Sequence, residues 1–277
     1  MLSVCPTPIG NLGDITLRVL ETLKAADLVA AEDTRRTGRM LAHYGISKPL
    51  VSFFEHNELK RLPAILGRLR AGEHVALVSD AGMPGICDPG FRLIEAAMTE
   101  GLAVEVLPGP SAVETALVAS GFPTDSFLFL GYLPRRKKDR EAVLQRLTGE
   151  ARTAVAFETP HRLASALADA SRLIPARQMA ICRELTKLHE EIIRGTAAEL
   201  IAGLPEKVKG EIVMVFAPAE AGGRPAEDSD ARAAGAASRL LAAGLTPRQA
   251  ADILAAIASI PRNRAYRLAL ELEKTRN

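Results

Sequence analysis

Tryptophan is absent from the 277 residues, aromatic side chains make up only 4%, and the three cysteines, Cys5, Cys87 and Cys182, are odd in number and far apart. With no Cys-x-x-Cys pair and no histidine pairs nearby, neither a disulfide framework nor a zinc site is expected, and a reducing cytoplasm suits the chain. No run approaches the ~20 apolar residues needed to span a bilayer, and the opening MLSVCPTPIGN lacks the basic and apolar regions of a signal peptide, so a cytoplasmic location is expected. An excess of one charge is missing too. The 35 Lys and Arg against 33 Asp and Glu leave a net charge of +2, so a nucleic-acid partner must announce itself in local clusters. Several catalytic signatures are likewise absent: GxxxxGK[ST], GxGxxG, GxSxG and HExxH. The five histidines, His43, His56, His74, His161 and His189, are scattered, and nucleophilic catalysis is not indicated.

What is present is an alternation of short β-branched runs with amphipathic helical stretches. Strands are expected at 2–7, 28–31, 50–54, 75–78 and 104–107, with helices between them, which predicts an α/β fold on a mostly parallel, layered sheet. Asp14 is the expected cap of the first helix, and Ser111 and Glu114 the capping box of the fifth. FPTDSF (122–127) interrupts the pattern. Beyond it a second unit alternates strands near 127–132, 154–157, 179–183, 191–194 and 211–216 with helices near 138–147, 162–173 and 197–203, the last with a Thr196–Glu199 capping box. The stretch APAEAGGRPAEDSDARAAG reads as a flexible linker, and two helices follow, the first opened by Thr246, Pro247 and Gln249. The expected organisation is therefore two α/β domains, 1–120 and 121–218, a linker at 219–236 and a small helical extension at 237–277.

Polar or Gly/Pro clusters sit where strands end: PTPIGN, EDTRR, FEHNE, SDAGMPGICDPG and PGPSA, then GYLPRRKK, FETPHR, RELTKLHEE and VKGEI. Carboxyl ends of parallel strands share one rim, so these clusters are expected to converge on a ligand crevice between the two domains. Three basic clusters accompany them: Arg35, Arg36 and Arg39; Arg135, Arg136, Lys137, Lys138 and Arg140; and Arg262, Arg264, Arg267, Lys274 and Arg276 in the tail. Such clusters hold phosphates, although a solvated helix face looks the same in sequence.

The segments TPIGNLGDIT, AEDTRRTGRML, SFFEHNE, SDAGMPGICDPG, PGPSA, GYLPR, FETPHRL and RELTKLHEE resemble the ribosomal RNA small subunit methyltransferase I family of the tetrapyrrole methylase superfamily. The resemblance covers about residues 3–218, and the tail looks like that family's extension. It implies S-adenosylmethionine folded in a cleft between two α/β domains, a homodimer, no metal, and methylation of a cytidine ribose 2′-hydroxyl in the decoding region of small-subunit RNA, in the assembled or nearly assembled subunit. Carried over to this chain, Asp80, Ala81, Gly82, Met83, Pro84 and Ile86 would wrap the methionine end of the cofactor. Ser111, Ala112, Leu185 and Thr186 would touch its other parts, and Gly210, Glu211 and Ile212 would lie near the adenine. Where the superfamily often has a GDPG-like loop, this chain has Asp80-Ala-Gly-Met-Pro-Gly, which favours the RNA-modifying branch. A ribose hydroxyl needs its proton removed, and the candidate bases are Asp33, Glu55, His56 and Asp88. Two readings compete: methylation of a tetrapyrrole-like small molecule on the same fold, and a non-catalytic RNA-binding assembly module.

Overall fold

The computed structural model describes residues 1–219, 226–258 and 262–276. It forms two compact units, Met1–Pro218 and Ala219–Asn277. The first half of the larger unit comprises β1 (Leu2–Val4), α1 (Leu17–Ala25), β2 (Leu28–Ala31), α2 (Thr34–His43), β3 (Leu50–Ser52), α3 (Glu58–Arg70), β4 (Val75–Val78), α4 (Phe91–Thr99), β5 (Val104–Val106) and α5 (Ala112–Ser120). Its five strands pair in the order β3-β2-β4-β1-β5, all parallel, as the alternation predicts. Alternate side chains of the strands serve two cores. Leu28, Ala30 and Leu77 pack with Ile65, Leu69 and Leu93 of α3 and α4 on one face, while Val29, Ala76 and Val78 pack with Val19, Leu23 and Leu41 of α1 and α2 on the other. Each fully buried leucine contributes about 1.5–3 kcal/mol, which is why these short strands need helices on both sides. The cap of α1 is not Asp14 but Thr16, whose Oγ1 accepts from the Val19 N–H at 3.2 Å; Asp14 closes a short 3-10 turn instead.

The second half contains β6 (Phe127–Tyr132), α6 (Lys137–Leu147), β7 (Thr153–Glu158), α7 (Pro160–Leu173), β8 (Gln178–Arg183), β9 (Glu191–Thr196), α8 (Ala197–Ala202) and β10 (Ile212–Phe216). Its sheet, β6-β7-β10-β8-β9, is mixed: β6 and β7 are parallel, whereas β10 runs antiparallel to β7 and β8, and β9 antiparallel to β8. Carboxyl ends alone therefore do not make the rim. The strands β6, β7 and β8 deliver their ends to it, while β9 and β10 deliver their beginnings, so VKGEI arrives beside FETPHR although it precedes its strand. One face of the sheet is covered by α6, α7 and α8 through Leu144, Leu163, Leu167 and Leu200. The other is covered by α5, whose Val113, Ala116 and Leu117 pack on Val155, Ala180 and Val213. The helix that closes the first half is thus the lining of the second. Its end is held by Arg194 of β9, whose guanidinium donates to the carbonyls of Ser120, at 2.7 Å, and Ala119. The Thr196–Glu199 capping box is formed, but Ser111 makes no cap bond to α5 and donates instead to the Glu114 carboxylate.

The smaller unit holds three helices, α9 (Ala226–Ala242), α10 (Pro247–Ala258) and α11 (Arg262–Arg276), where two were expected. Residues 226–236 of the expected linker are helical, because alanine at 231, 233, 234, 236 and 237 favours helix, and Ala237 is buried. The remainder of that linker, 220–225, lies outside the described residues. Ala237, Ala251, Leu254 and Ala265 form the unit's core, and Thr246 and Gln249 complete the capping box of α10. Among the described residues no helix is long and apolar enough to cross a membrane.

Candidate functional site

The loop after β4 is fixed from several sides before any ligand is considered. Thr7 and Gly82 exchange backbone hydrogen bonds at 2.9 Å in both directions, which ties the loop after β1 to the loop after β4. The Thr7 hydroxyl donates to the Ser79 carbonyl at 3.0 Å, and the Asp80 N–H donates to Glu32 Oε2 at 3.2 Å. Asp80 in turn accepts from the Asp33 N–H at 3.1 Å and from Arg36 Nη1 at 2.8 Å. Opposite stands the loop after β8, bound to the start of β10: Glu184 Oε1 accepts from the Glu211 N–H at 2.9 Å and from Lys187 Nζ at 2.8 Å. Glu184 and Thr186 both hold positive φ, at 52° and 66°. Non-glycine residues keep such conformations only where surrounding contacts determine them, and they concentrate at ligand sites. The loop after β8 reaches the loop after β1, where Thr186 Oγ1 accepts from the Asn11 N–H at 3.0 Å.

Between them lies a cavity of about 330 Å³, which is ligand-sized. Of the residues expected to hold the cofactor, Asp80, Ala81, Gly82, Met83, Ile86, Ser111, Ala112, Leu185, Gly210, Glu211 and Ile212 line it. Pro84 is buried beneath the loop rather than lining the cavity, and Thr186 lines a second, shallower depression beside Ser111 and Gly109. Ile9, Val113, Phe157 and Val213 add apolar wall, and Glu32, Asp88, Tyr132, Glu158 and Thr159 complete the polar part. Glu32, Tyr132, Glu158 and Thr159 were not among the site residues expected from the sequence. The signal was present in EDTRR, GYLPR and FETPHR, but only strand pairing decides which residues of each cluster turn inward.

The four candidate bases separate. Asp88 lines the cavity, half-buried, and its carboxyl is pushed up to about 7, first by burial and then by the negative charges of Glu32 and Asp80, against a lowering contribution from Ser79. Glu32 is raised too, mainly by burial. Asp33 does not line the cavity. It caps α2 and pairs with Arg35 at 2.9 Å, and these hydrogen bonds hold it well below the usual carboxylate range. Glu55 and His56 are exposed and away from the cavity, on the turn leading into α3.

The basic clusters also need correction. Arg36 turns into the cavity onto Asp80, and among the described residues lining it Arg36 is the only Lys or Arg. Arg140 does not face solvent: its side chain is 6% exposed and bonds Asp169, itself 7% exposed, at 2.6 Å. Lys137 stands 3.8 Å from Glu141, while Arg39, Arg135, Arg136 and Lys138 are exposed. Arg267 is exposed on α11, but the side chains of Arg262, Arg264, Lys274 and Arg276 lie outside those described.

The site combines apolar walls, backbone amides at the start of α5 and carboxylates, a set suited to an amphipathic, positively charged ligand. The Glu158 side chain is fully buried and pairs through Oε1 with Arg162 at 2.5 Å, while its Oε2 has no hydrogen-bond partner among the described residues. Among the described residues no group of three or more His, Cys, Asp or Glu is arranged to hold a metal ion.

Comparison with known proteins identifies the family and the fold. Residues 1–201 match the Tetrapyrrole (Corrin/Porphyrin) Methylases. A ribosomal RNA small subunit methyltransferase I of Synechocystis is 43% identical over 275 residues, covering 99% of this chain and 98% of that protein. The Thermotoga maritima protein of the same name is 49% identical over 79% of this chain and 99% of its own, and the Escherichia coli O157:H7 one 41% identical over 98% and 94%. In fold, the methyltransferase CobJ is similar with a TM-score of 0.61 at 20% identity, covering 79% of this chain and 94% of that one. Uroporphyrin-III C-methyltransferase from Thermus thermophilus, solved with S-adenosyl homocysteine, gives 0.55 at 18% identity over 78% and 96%.

Proposed function

Because the chain belongs to the ribosomal RNA small subunit methyltransferase I family within the tetrapyrrole methylases, we propose that it is a cytoplasmic S-adenosylmethionine-dependent enzyme that methylates a cytidine ribose 2′-hydroxyl in the decoding region of small-subunit ribosomal RNA. The observation that carries the reading beyond the family is Asp88. It alone of the four candidate bases lines the cavity that also gathers most of the residues expected around the cofactor.

The residues fit the cofactor. When bound, S-adenosylmethionine supplies an electrophilic methyl group on a sulfonium. Loop residues Asp80 to Met83 and Ile86 would hold its amino-acid part, with the carboxylates Asp80 and Glu32 complementing positive charge. Ile212 and Val213 offer an apolar wall for an adenine, while Ser111 and Ala112, at the start of α5, would touch the cofactor's other parts. Asp88 takes the hydroxyl proton as the oxygen attacks, and its pKa of about 7 makes it a base at neutral pH that can return the proton to solvent. The hydrogen-bonded loops would position the hydroxyl and the cofactor against each other, and such positioning is itself a large part of catalysis. Exposed Arg39, Arg135, Arg136 and Lys138 hold the RNA backbone. The proposal includes a homodimer acting on the assembled subunit, with no metal.

The test is to incubate the protein with small ribosomal subunits and tritium-labelled S-adenosylmethionine, digest the RNA, and locate the label. Label in a single 2′-O-methylcytidine of the decoding region supports the reading. Label in a base, in a small molecule or nowhere, despite calorimetric binding of the cofactor, refutes it.

A further inference from the structure

We infer that the ring of Tyr132 is the platform on which the nucleobase of the methylated nucleotide stacks, so that Tyr132 holds that nucleotide, splayed out of its RNA strand, against the acidic wall of the cavity. The inference rests on the RNA reading above and adds to it the contact that selects the nucleotide.

The backbone of β6 is built to aim this ring. Along the strand Leu128 and Leu130 point to the core beneath α6, α7 and α8, and Phe129 points to the opposite, cavity-side core. Simple alternation would send Tyr132 with Leu128 and Leu130 into the helix-covered core. The register slips instead: Phe129 lies opposite Val155, but Tyr132 lies opposite Phe157, so β6 spends one extra residue there. Gly131 takes up the irregularity with φ +65°, and a Cβ on it would stand 3.4 Å from Cys87 Sγ in the loop after β4. Bulges of this kind re-aim one side chain and recur beside active sites. The result is that Tyr132 shares the face of Phe157, with ring centroids 5.4 Å apart and planes at 60°, and lines the cavity.

The ring is also left open. Tyr132 is 54% exposed, an unusual place for an aromatic in a chain with 4% aromatics; Phe157 meets it edge-on at 5.4 Å and is itself met by Phe129 at 5.1 Å. Burial and the charges of Asp88, Cys87, Glu211 and Glu32 raise its phenol, so the ring stays neutral. Sequence-specific RNA recognition takes splayed, unstacked bases on aromatic side chains, whose faces match those of the bases. A base stacked on Tyr132 would bring its ribose to the side of the cavity that carries Asp88.

The experiment compares wild type, Tyr132→Leu and Tyr132→Phe on isolated small ribosomal subunits, with S-adenosylmethionine affinity measured by calorimetry on each. The expected result is a loss of roughly 5- to 150-fold in kcat/KM for the subunit in Tyr132→Leu, carried mainly by KM. Cofactor affinity is unchanged, and Tyr132→Phe recovers most of the loss because the ring face remains. Four outcomes overturn it. Unchanged kcat/KM in Tyr132→Leu shows that no base stacks there. Equal impairment of Tyr132→Phe assigns the effect to the hydroxyl. Loss of cofactor affinity in parallel with activity assigns it to the cavity's shape. Failure of wild type to methylate subunit RNA removes the RNA reading and this inference with it.

Discussion

The two walls of the cavity are built by different sheets and do different things. The wall from the parallel sheet carries Glu32 after β2 and Asp80 and Asp88 after β4, with Glu32 accepting from the Asp80 N–H and Asp80 from the Asp33 N–H. The wall from the mixed sheet adds the acids Glu158 and Glu211 but is mainly shape: Phe157, Ile212, Val213 and Tyr132, with a bulge and positive-φ turns to aim them. Parallel strands ending at one rim concentrate polar loop residues, whereas a mixed sheet can bring both strand ends and strand beginnings there, so contact surface comes from segments far apart in sequence. The two walls divide the work: the proposed base Asp88 and the Arg36–Asp80 pair stand on one, and the open aromatic surface on the other.

The largest effect expected from breaking that division is on chemistry. Asp88→Asn should lower the single-turnover methylation rate by ~10²- to 10⁴-fold, the usual contribution of a positioned base, while leaving cofactor affinity near wild type. Next comes the recognition half's own support. Asp169→Ala strands a buried Arg140 guanidinium and should destabilise the protein by about 3–5 kcal/mol in urea unfolding. If Arg140 were a phosphate contact, the same change would leave stability intact and strengthen RNA binding. A smaller loss is expected from Gly210→Ala. Gly210 has φ +92° and sits against the Glu184 side chain, so the variant should lose about 1–3 kcal/mol and weaken cofactor binding by opening the turn before β10. Reversing the charges at Arg135, Arg136 and Lys138 should weaken RNA binding and flatten its salt dependence without touching cofactor affinity, and an unchanged salt slope would remove that patch from the interface.

The smallest effect sharpens the first. The fold pushes the Asp88 carboxyl up to about 7 from the ordinary aspartate value of 3.8 that it keeps when unfolded, so between those pH values the native state binds more protons than the unfolded one. Wild-type stability therefore falls as pH rises through this window. Asp88→Asn, which has no such titration, should gain in Tm relative to wild type from pH 4 to pH 7, and a gap that is constant with pH would show that Asp88 is not raised. An acid that is costly to ionise in the fold and useful in the reaction is a trade between stability and activity.

Much of this was legible in the residues themselves. Val75–Val78 and Leu28–Ala31 stand as apolar runs bounded by polar and glycine positions, and the strands match those bounds residue for residue. The cavity loop was legible because Asp80, Gly82 and Met83 are local in sequence and need only one strand end to place them. The direction of β10 was not, since an apolar run such as Ile212–Phe216 reads the same in either orientation and its neighbours are chosen by packing. Arg140 was misread because a basic run looks solvated until Asp169, on the next helix, is brought against it. The inward turn of Tyr132 depends on one slipped pairing beside Gly131, which alternation along β6 cannot reveal.

The most direct test of the division between the walls is the pH dependence of single-turnover methylation of small ribosomal subunits by wild type and Asp88→Asn with cofactor saturating. The account predicts a wild-type rate that climbs with pH and levels off above about 7, and a slow Asp88→Asn rate that is flat through the same range. A shared profile, with Asp88→Asn as fast as wild type, would contradict it.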